Sequence, residues 1–187
     1  MKRRLLIGMS GASGAPIAVE LLKQLKKRED METHLIVTRG AQMTLLQECN
    51  LTPEQVRELA DVSYENDAIG ARVASGSFFT EGMIIVPCSM KTAAGIVSGY
   101  SDNLLLRAAD VTLKERRKLV LVARESPLST VHLRNLYELS RLGAVIIPPM
   151  LTYYNHPATL EDCTAYAAQR ILRQFGLGDD AYEWEGM

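Results

Sequence analysis

Three short segments carry more glycine, hydroxyl and cationic groups than a buried core would ask of them. Gly8-Met9-Ser10-Gly11-Ala12-Ser13-Gly14 is a small-residue turn in which backbone amides and hydroxyls can converge on an anion at a helix start. Its G-x-x-G-x-x-G spacing differs from the dinucleotide fingerprint, and Thr38-Arg39 stands where an NAD site would place an acid for the ribose. The turn fits a mononucleotide better than NAD, or else serves only as a tight strand-to-helix connection. Pro87-Cys88-Ser89-Met90-Lys91-Thr92 sets two hydroxyls and a lysine at a predicted helix start, where no apolar requirement explains them. Arg124-Glu125-Ser126-Pro127-Leu128 places a charged pair directly after an apolar run, as a solvated loop or, better suited to its position, as part of a site. Two anion-receiving turns suggest one phosphorylated ligand.

Metal and thiol chemistry find less support. His34, His132 and His156 are scattered, with no spacing that puts two on one helix face for zinc, so a metal-free protein is expected. Cys49, Cys88 and Cys163 form no C-x-x-C pair and fit a reduced compartment, the cytoplasm. No histidine lies near Cys88 in sequence, so that thiol reads as a small packing group rather than a nucleophile.

The elements that must position these segments follow from periodicity. Arg4–Gly8, Glu32–Val37, Met83–Pro87, Leu119–Ala123 and Ala144–Pro148 are short apolar runs rich in branched residues, as expected of parallel strands buried on both faces. Between them, helical spacing covers Ala15–Lys27, Gln42–Glu48, Thr92–Tyr100, Asn103–Leu113 and Thr130–Leu142. Thr52-Pro53-Glu54-Gln55 opens a further helix with a capping box, and Thr159 with Asp162 opens the last, Leu160–Phe175, which Gly176 closes. The alternation predicts an α/β fold, a Rossmann-like, flavodoxin-type doubly wound parallel sheet in a single domain over 1–187, with 178–187 a C-terminal tail.

With 187 residues, 47% of them apolar, the chain can bury one good core. Its 21 basic and 22 acidic residues leave a net charge of -1, which gives no reason to expect nucleic acid or a membrane as partner. The basic opening Met1–Arg4 resembles the start of a signal, but the apolar stretch behind it ends at Met9, too short to export or span.

In order along the chain, Gly11-Ala12-Ser13-Gly14, Ser75-Gly76-Ser77-Phe78, Pro87-Cys88-Ser89-Met90-Lys91-Thr92, Arg107-Ala108-Ala109-Asp110, Leu113-Lys114-Glu115-Arg116, Arg124-Glu125-Ser126-Pro127-Leu128 and Tyr154-Asn155-His156-Pro157 closely resemble the UbiX-like flavin prenyltransferases. The likeness runs from about Leu5 to Trp184. It is nearest to the members that accompany hydroxyaryl-acid decarboxylases, notably in Cys-Ser-Met-Lys and Pro-Pro-Met.

The resemblance implies a subunit that binds reduced FMN and joins to it a dimethylallyl group from dimethylallyl phosphate, without a metal. Prenylated FMN, with new bonds at N5 and C6, then serves a separate aromatic acid decarboxylase. Carried over by position, Gly11, Ala12, Ser13, Thr38, Ser89, Met90, Lys91, Thr92 and Arg124 hold FMN, Thr38 standing for the usual serine. Arg107, Lys114, Tyr154 and Arg170 form the grip on the donor's phosphate, where cations and a phenol can meet the charge of a departing allylic phosphate. Glu125 and Ser13 relay protons, and Glu48 lies near the reacting centre. Phe78, Tyr153 and Trp184 pave a pocket that excludes water, or simply pack. Relatives assemble as homododecamers with sites at subunit junctions.

Departures from the family pattern touch the Tyr154 loop, with Leu151-Thr152-Tyr153 for Pro-Ala-Phe, and Gln47-Glu48-Cys49 for Thr-Glu-Thr. Two rival readings are a non-catalytic FMN-carrying subunit of a decarboxylase complex and a flavin-dependent cysteine decarboxylase. The second lacks its catalytic histidine and P-x-M-N-x-x-M-W segment here. The first does not explain a second phosphate grip.

Overall fold

The computed structural model describes residues 2–179 and residue 186. Six parallel strands form one sheet: β1 Arg3–Met9, β2 Met31–Val37, β3 Val62–Tyr64, β4 Gly82–Cys88, β5 Lys118–Ala123 and β6 Val145–Ile146, in the order β3-β2-β1-β4-β5-β6. Seven helices flank it: α1 Ala15–Lys26, α2 Arg39–Cys49, α3 Pro53–Arg57, α4 Met90–Val97, α5 Leu104–Lys114, α6 Thr130–Arg141 and α7 Leu160–Leu172. The five strands read from sequence keep the flavodoxin order, and the short β3 extends that sheet beyond β2.

Successive side chains of the central strands feed two separate cores, which is why alternation is missing from their sequences. Leu5, Ile7, Ile84, Val86, Val120 and Val122 pack with Leu21, Leu22 and Leu45 of α1 and α2 and with Ile171 of α7. On the other face, Leu6, Met83, Ile85, Leu119 and Leu121 pack with Ile96, Leu105, Ala108 and Leu139 of α4, α5 and α6. Each such fully buried aliphatic side chain contributes roughly 1.5–3 kcal/mol through removal from water.

Helix ends follow the local chemistry. The capping boxes at Thr52–Gln55 and Thr159–Asp162 both form, and Gly176 ends the last helical stretch at φ 66°, after a 3-10 turn over Arg173–Phe175. Two predictions needed adjusting. The run Ala144–Pro148 pairs only at Val145 and Ile146, because it is an edge strand and Pro148-Pro149 has no N–H to continue the ladder. The strand β3 escaped prediction, since three residues of mixed polarity give no period to read.

Candidate active site

The connections from β1 and β4 leave in opposite directions, so the carboxyl ends of these neighbours open a crevice. Ser10 joins its two walls. Its hydroxyl donates to the Pro87 carbonyl at 3.0 Å and accepts from the Ser89 N–H at 2.8 Å, with the side chain fully buried. Gly11 lies against Gly40: a Cβ on Gly11 would stand 2.9 Å from the Gly40 Cα, and one on Gly40 3.0 Å from the Gly11 Cα. Only two glycines allow the β1 turn and the start of α2 to touch in this way.

Three helices present capped N-termini to this crevice. Thr38 Oγ1 accepts from the Ala41 N–H at 3.2 Å, Ser89 Oγ from Thr92 at 3.3 Å and Asn103 Oδ1 from Leu106 at 3.1 Å. Asn66 reinforces the third, its side chain accepting from Leu105 and its carbonyl from Leu104. Between these ends lies a cleft of about 570 Å3, lined by Ser10, Gly11, Thr38, Arg39, Gly40, Asn66, Ser89, Lys91, Thr92, Tyr100 and Asn103 among others. The positive ends of α2, α4 and α5, with Arg39 and Lys91, suit a phosphate, and the volume falls in the range of small-ligand sites, so the residues fit a bound FMN.

Helix α1 differs. The Gly14 and Ala15 amides both donate to Glu48 Oε2 at 2.9 Å, so the anion at its N-terminus is the protein's own carboxylate. Glu48 thereby sits one residue beyond Ser13.

A second cavity, of about 290 Å3, opens at the carboxyl ends of β5 and β6. Tyr166 and Arg170 of α7 line it together with Val122, Ile146–Met150 and Thr152. Tyr154 joins it through a hydroxyl-to-hydroxyl hydrogen bond with Tyr166, their rings meeting edge to face. The pair Arg124–Glu125 follows β5, which lies between β4 and β6 in the sheet. The Arg124 N–H donates to the Cys88 carbonyl at 3.1 Å, which ties this turn to the end of β4, and Glu125 is exposed, accepting from the Ser126 N–H at 3.0 Å.

Of the residues that the resemblance assigns to FMN, Gly11, Thr38, Ser89, Lys91 and Thr92 line the first cleft. Ala12 and Met90 are buried next to lining residues in sequence, whereas Ser13 and Arg124 are not among the residues that line it. Of the phosphate grip, Arg170 lines the second cavity and Tyr154 is linked to it through Tyr166. Lys114 does not join them within one chain. It ends α5, four residues before Lys118, which pairs with Gly82 at the start of β4. The length of β4, about 20 Å for its 7 residues, separates it from Ser89. Arg107 on the same helix is engaged with Asp110 at 2.8 Å and the Ala74 carbonyl at 3.2 Å.

Phe78 packs away from both cavities, beneath the Arg4 and Arg72 guanidinium groups and edge-on to His34. Tyr153 is exposed, and Trp184 lies outside the described residues. Cys88 is fully buried, and burial pushes its thiol up to about 12, which keeps it protonated and inert. Sequence reading put Ser10 in the anion-receiving turn without seeing its bridging role, and passed over Gly40, Asn66 and Asn103 as site residues. For Asn103 the signal was present, an N-cap ahead of an apolar helix, whereas the others act through contacts between distant segments. Among the described residues no cluster of three or more histidine, cysteine or acidic side chains could hold a metal ion, and no helix is long and apolar enough to cross a membrane.

The flavoprotein family model matches residues 1–170. A probable UbiX-like flavin prenyltransferase from Sedimentibacter hydroxybenzoicus is 51% identical over 184 residues, spanning 98% of this chain and 97% of that protein. The chain belongs to the UbiX-like flavin prenyltransferase family. Among solved structures of this family, a dodecameric FMN-dependent UbiX-like decarboxylase from Escherichia coli O157:H7 superposes with a TM-score of 0.96 at 49% identity, over 98% of this chain and 100% of that one. AnUbiX (PadA1), solved in complex with FMN and dimethylallyl pyrophosphate, does so with a TM-score of 0.94 at 44% identity, over 100% of both chains.

Proposed function

We propose that this chain is a flavin prenyltransferase that joins a dimethylallyl group from dimethylallyl phosphate to N5 and C6 of reduced FMN, making prenylated FMN for a separate aromatic acid decarboxylase. The observation that carries the reading is near 50% identity, over almost the whole chain, to flavin prenyltransferases. Two cavities at the carboxyl ends of the strands support it, one rimmed by helix N-termini and one holding an arginine and a pair of phenols.

FMN, when bound, supplies the nucleophilic ring positions. Gly11, Ala12, Ser13, Thr38, Ser89, Met90, Lys91, Thr92 and Arg124 hold it, the helix ends and Lys91 meeting its phosphate. Tyr154 and Arg170 receive the donor's phosphate and stabilise the charge that grows on it as the carbon–oxygen bond opens. Glu125, on the turn after β5, delivers a proton to the leaving phosphate, with Ser13 beside the flavin completing the relay and Glu48 fixing the turn that carries Ser13. Lys114 and Arg107 reach the same phosphate from a neighbouring subunit, since Lys114 stands at the far edge of its own sheet. The assembly is a homododecamer. The whole chain, 1–187, acts as one FMN-binding unit with its tail from 178. Three free cysteines support a cytoplasmic setting.

Anaerobic incubation with reduced FMN and dimethylallyl phosphate, followed by mass spectrometry, should show flavin heavier by one dimethylallyl unit. Glu125→Gln should bind FMN yet form no such product. Bound flavin that never gains mass in the wild-type protein would leave the carrier reading in its place.

A further inference from the structure

The segment Ser75–Phe78 is unused by either cavity, yet it is held from three sides. Arg117 donates to the Gly76 carbonyl at 2.6 Å and to the Phe78 carbonyl at 2.9 Å, and Arg107 donates to Ala74 at 3.2 Å. The Phe78 ring lies 4.6 Å from the Arg4 guanidinium and 5.0 Å from that of Arg72. On this fixed backbone rests the ion pair of Lys114 Nζ with Glu115 Oε1, at 2.5 Å. A Cβ at Gly76 would fall 2.2 Å from Glu115 Oε1 and 3.0 Å from Lys114 Nζ, so the glycine is the floor on which the pair is seated. The hydrogen bond and charge of Lys114 hold the Glu115 carboxyl below the usual range, so it is ionised at neutral pH.

Two of the neighbouring cations already have partners within the chain. Arg107 pairs with Asp110, and Arg117 is spent on backbone carbonyls. A phosphate that arrives at Lys114 therefore meets its ammonium with a carboxylate seated beside it on Gly76.

We propose that Glu115 is a specificity-determining residue that holds a fixed negative charge beside the phosphate grip of Lys114 and so selects a prenyl monophosphate over a prenyl diphosphate. The inference rests on the reading that Lys114 meets the donor's phosphate. A monophosphate ester carries about -1.5 to -2 charge at pH 7. A diphosphate brings a further anionic group within reach of the same carboxylate, and the added repulsion falls on it alone.

The test uses the FMN-loaded protein and the saturated analogues isopentyl phosphate and isopentyl diphosphate, which have no allylic carbon and cannot react. Their dissociation constants are measured by titration calorimetry for the wild type, Glu115→Gln, Glu115→Asp and Lys114→Gln. Glu115→Gln should shift the affinity ratio towards the diphosphate by about five- to tenfold, a partly solvated effect that salt reduces. Glu115→Asp should keep the wild-type ratio. An unchanged ratio in Glu115→Gln, or a Glu115→Asp ratio equal to that of Glu115→Gln, overturns the proposal. So does equal weakening of both ligands in Glu115→Gln with a lowered melting temperature, which would make the carboxylate structural. Lys114→Gln separates the two levels: if both affinities stay unchanged, the grip itself is misassigned; if both weaken while Glu115→Gln keeps its ratio, only the selector fails.

Discussion

Single side chains decide much of what this fold can do, and His34 shows it away from the site. It is fully buried in β2, with Nε2 2.8 Å from Glu32 and Nδ1 2.9 Å from the Tyr64 hydroxyl. Burial holds its pKa below the ordinary value; the Glu32 carboxylate opposes this, and the Arg4 and Arg72 charges add to it. The folded value thus lies under the unfolded one of about 6.5, and on acidification the unfolded chain takes up the proton first. Stability should be level between pH 8 and 7 and fall as the pH drops below about 6.5. The carboxylates held low in the folded state, among them Glu32, Asp61, Glu115 and Asp162, act only below about 4.5. Urea midpoints measured across this range should lose their slope in His34→Gln; an equal slope in both proteins would refute the assignment. The contrast with the site is instructive. Gly11, Ser89 and Lys91 stood out in the sequence because their types are out of place in a core, but Gly40 did not, nor did the bridging role of Ser10. The role of each depends on one partner, Ser89 or Gly11, that only the folded chain brings near.

Helices and strands set the direction in which those side chains act. The N-terminus of α1 depends on α2, because Glu48 is its cap. Replacing Glu48 with alanine leaves two amides without their acceptor and should cost about 1–3 kcal/mol in the apo protein. Glu48→Gln, which keeps an oxygen but loses the charge on the helix dipole, should cost about 0.5–1 kcal/mol. Chemical denaturation at neutral pH measures both, and an alanine variant as stable as wild type would show that water serves the amides equally well. Strong periodicity and capping boxes made α1, α5, α6 and α7 legible in advance. Short edges were not, as β3 and β6 show, since pairing there depends on a neighbour's backbone rather than on pattern.

At the scale of the molecule, sequence gave a parallel sheet and its functional edge, but not which residues share a chain's own site. Lys114 and the Tyr154–Arg170 pair lie on different parts of one subunit because α5 runs down to the start of β5. If a neighbour supplies Lys114, then Lys114→Ala and Tyr154→Phe proteins, each inactive alone, should regain activity when co-assembled, to about a quarter of wild type for random mixing. Product formation by the mixture measures this, and no recovery would place both residues in one chain. The crevice between β1 and β4 has a kinetic consequence as well. Its walls meet through Ser10 and Ser89, 79 residues apart in sequence, so a large loop must close before any flavin surface exists. Cofactor capture is therefore a late event in the life of each newly made subunit, and a ligand that recognises only the finished junction pulls the folding equilibrium towards completion.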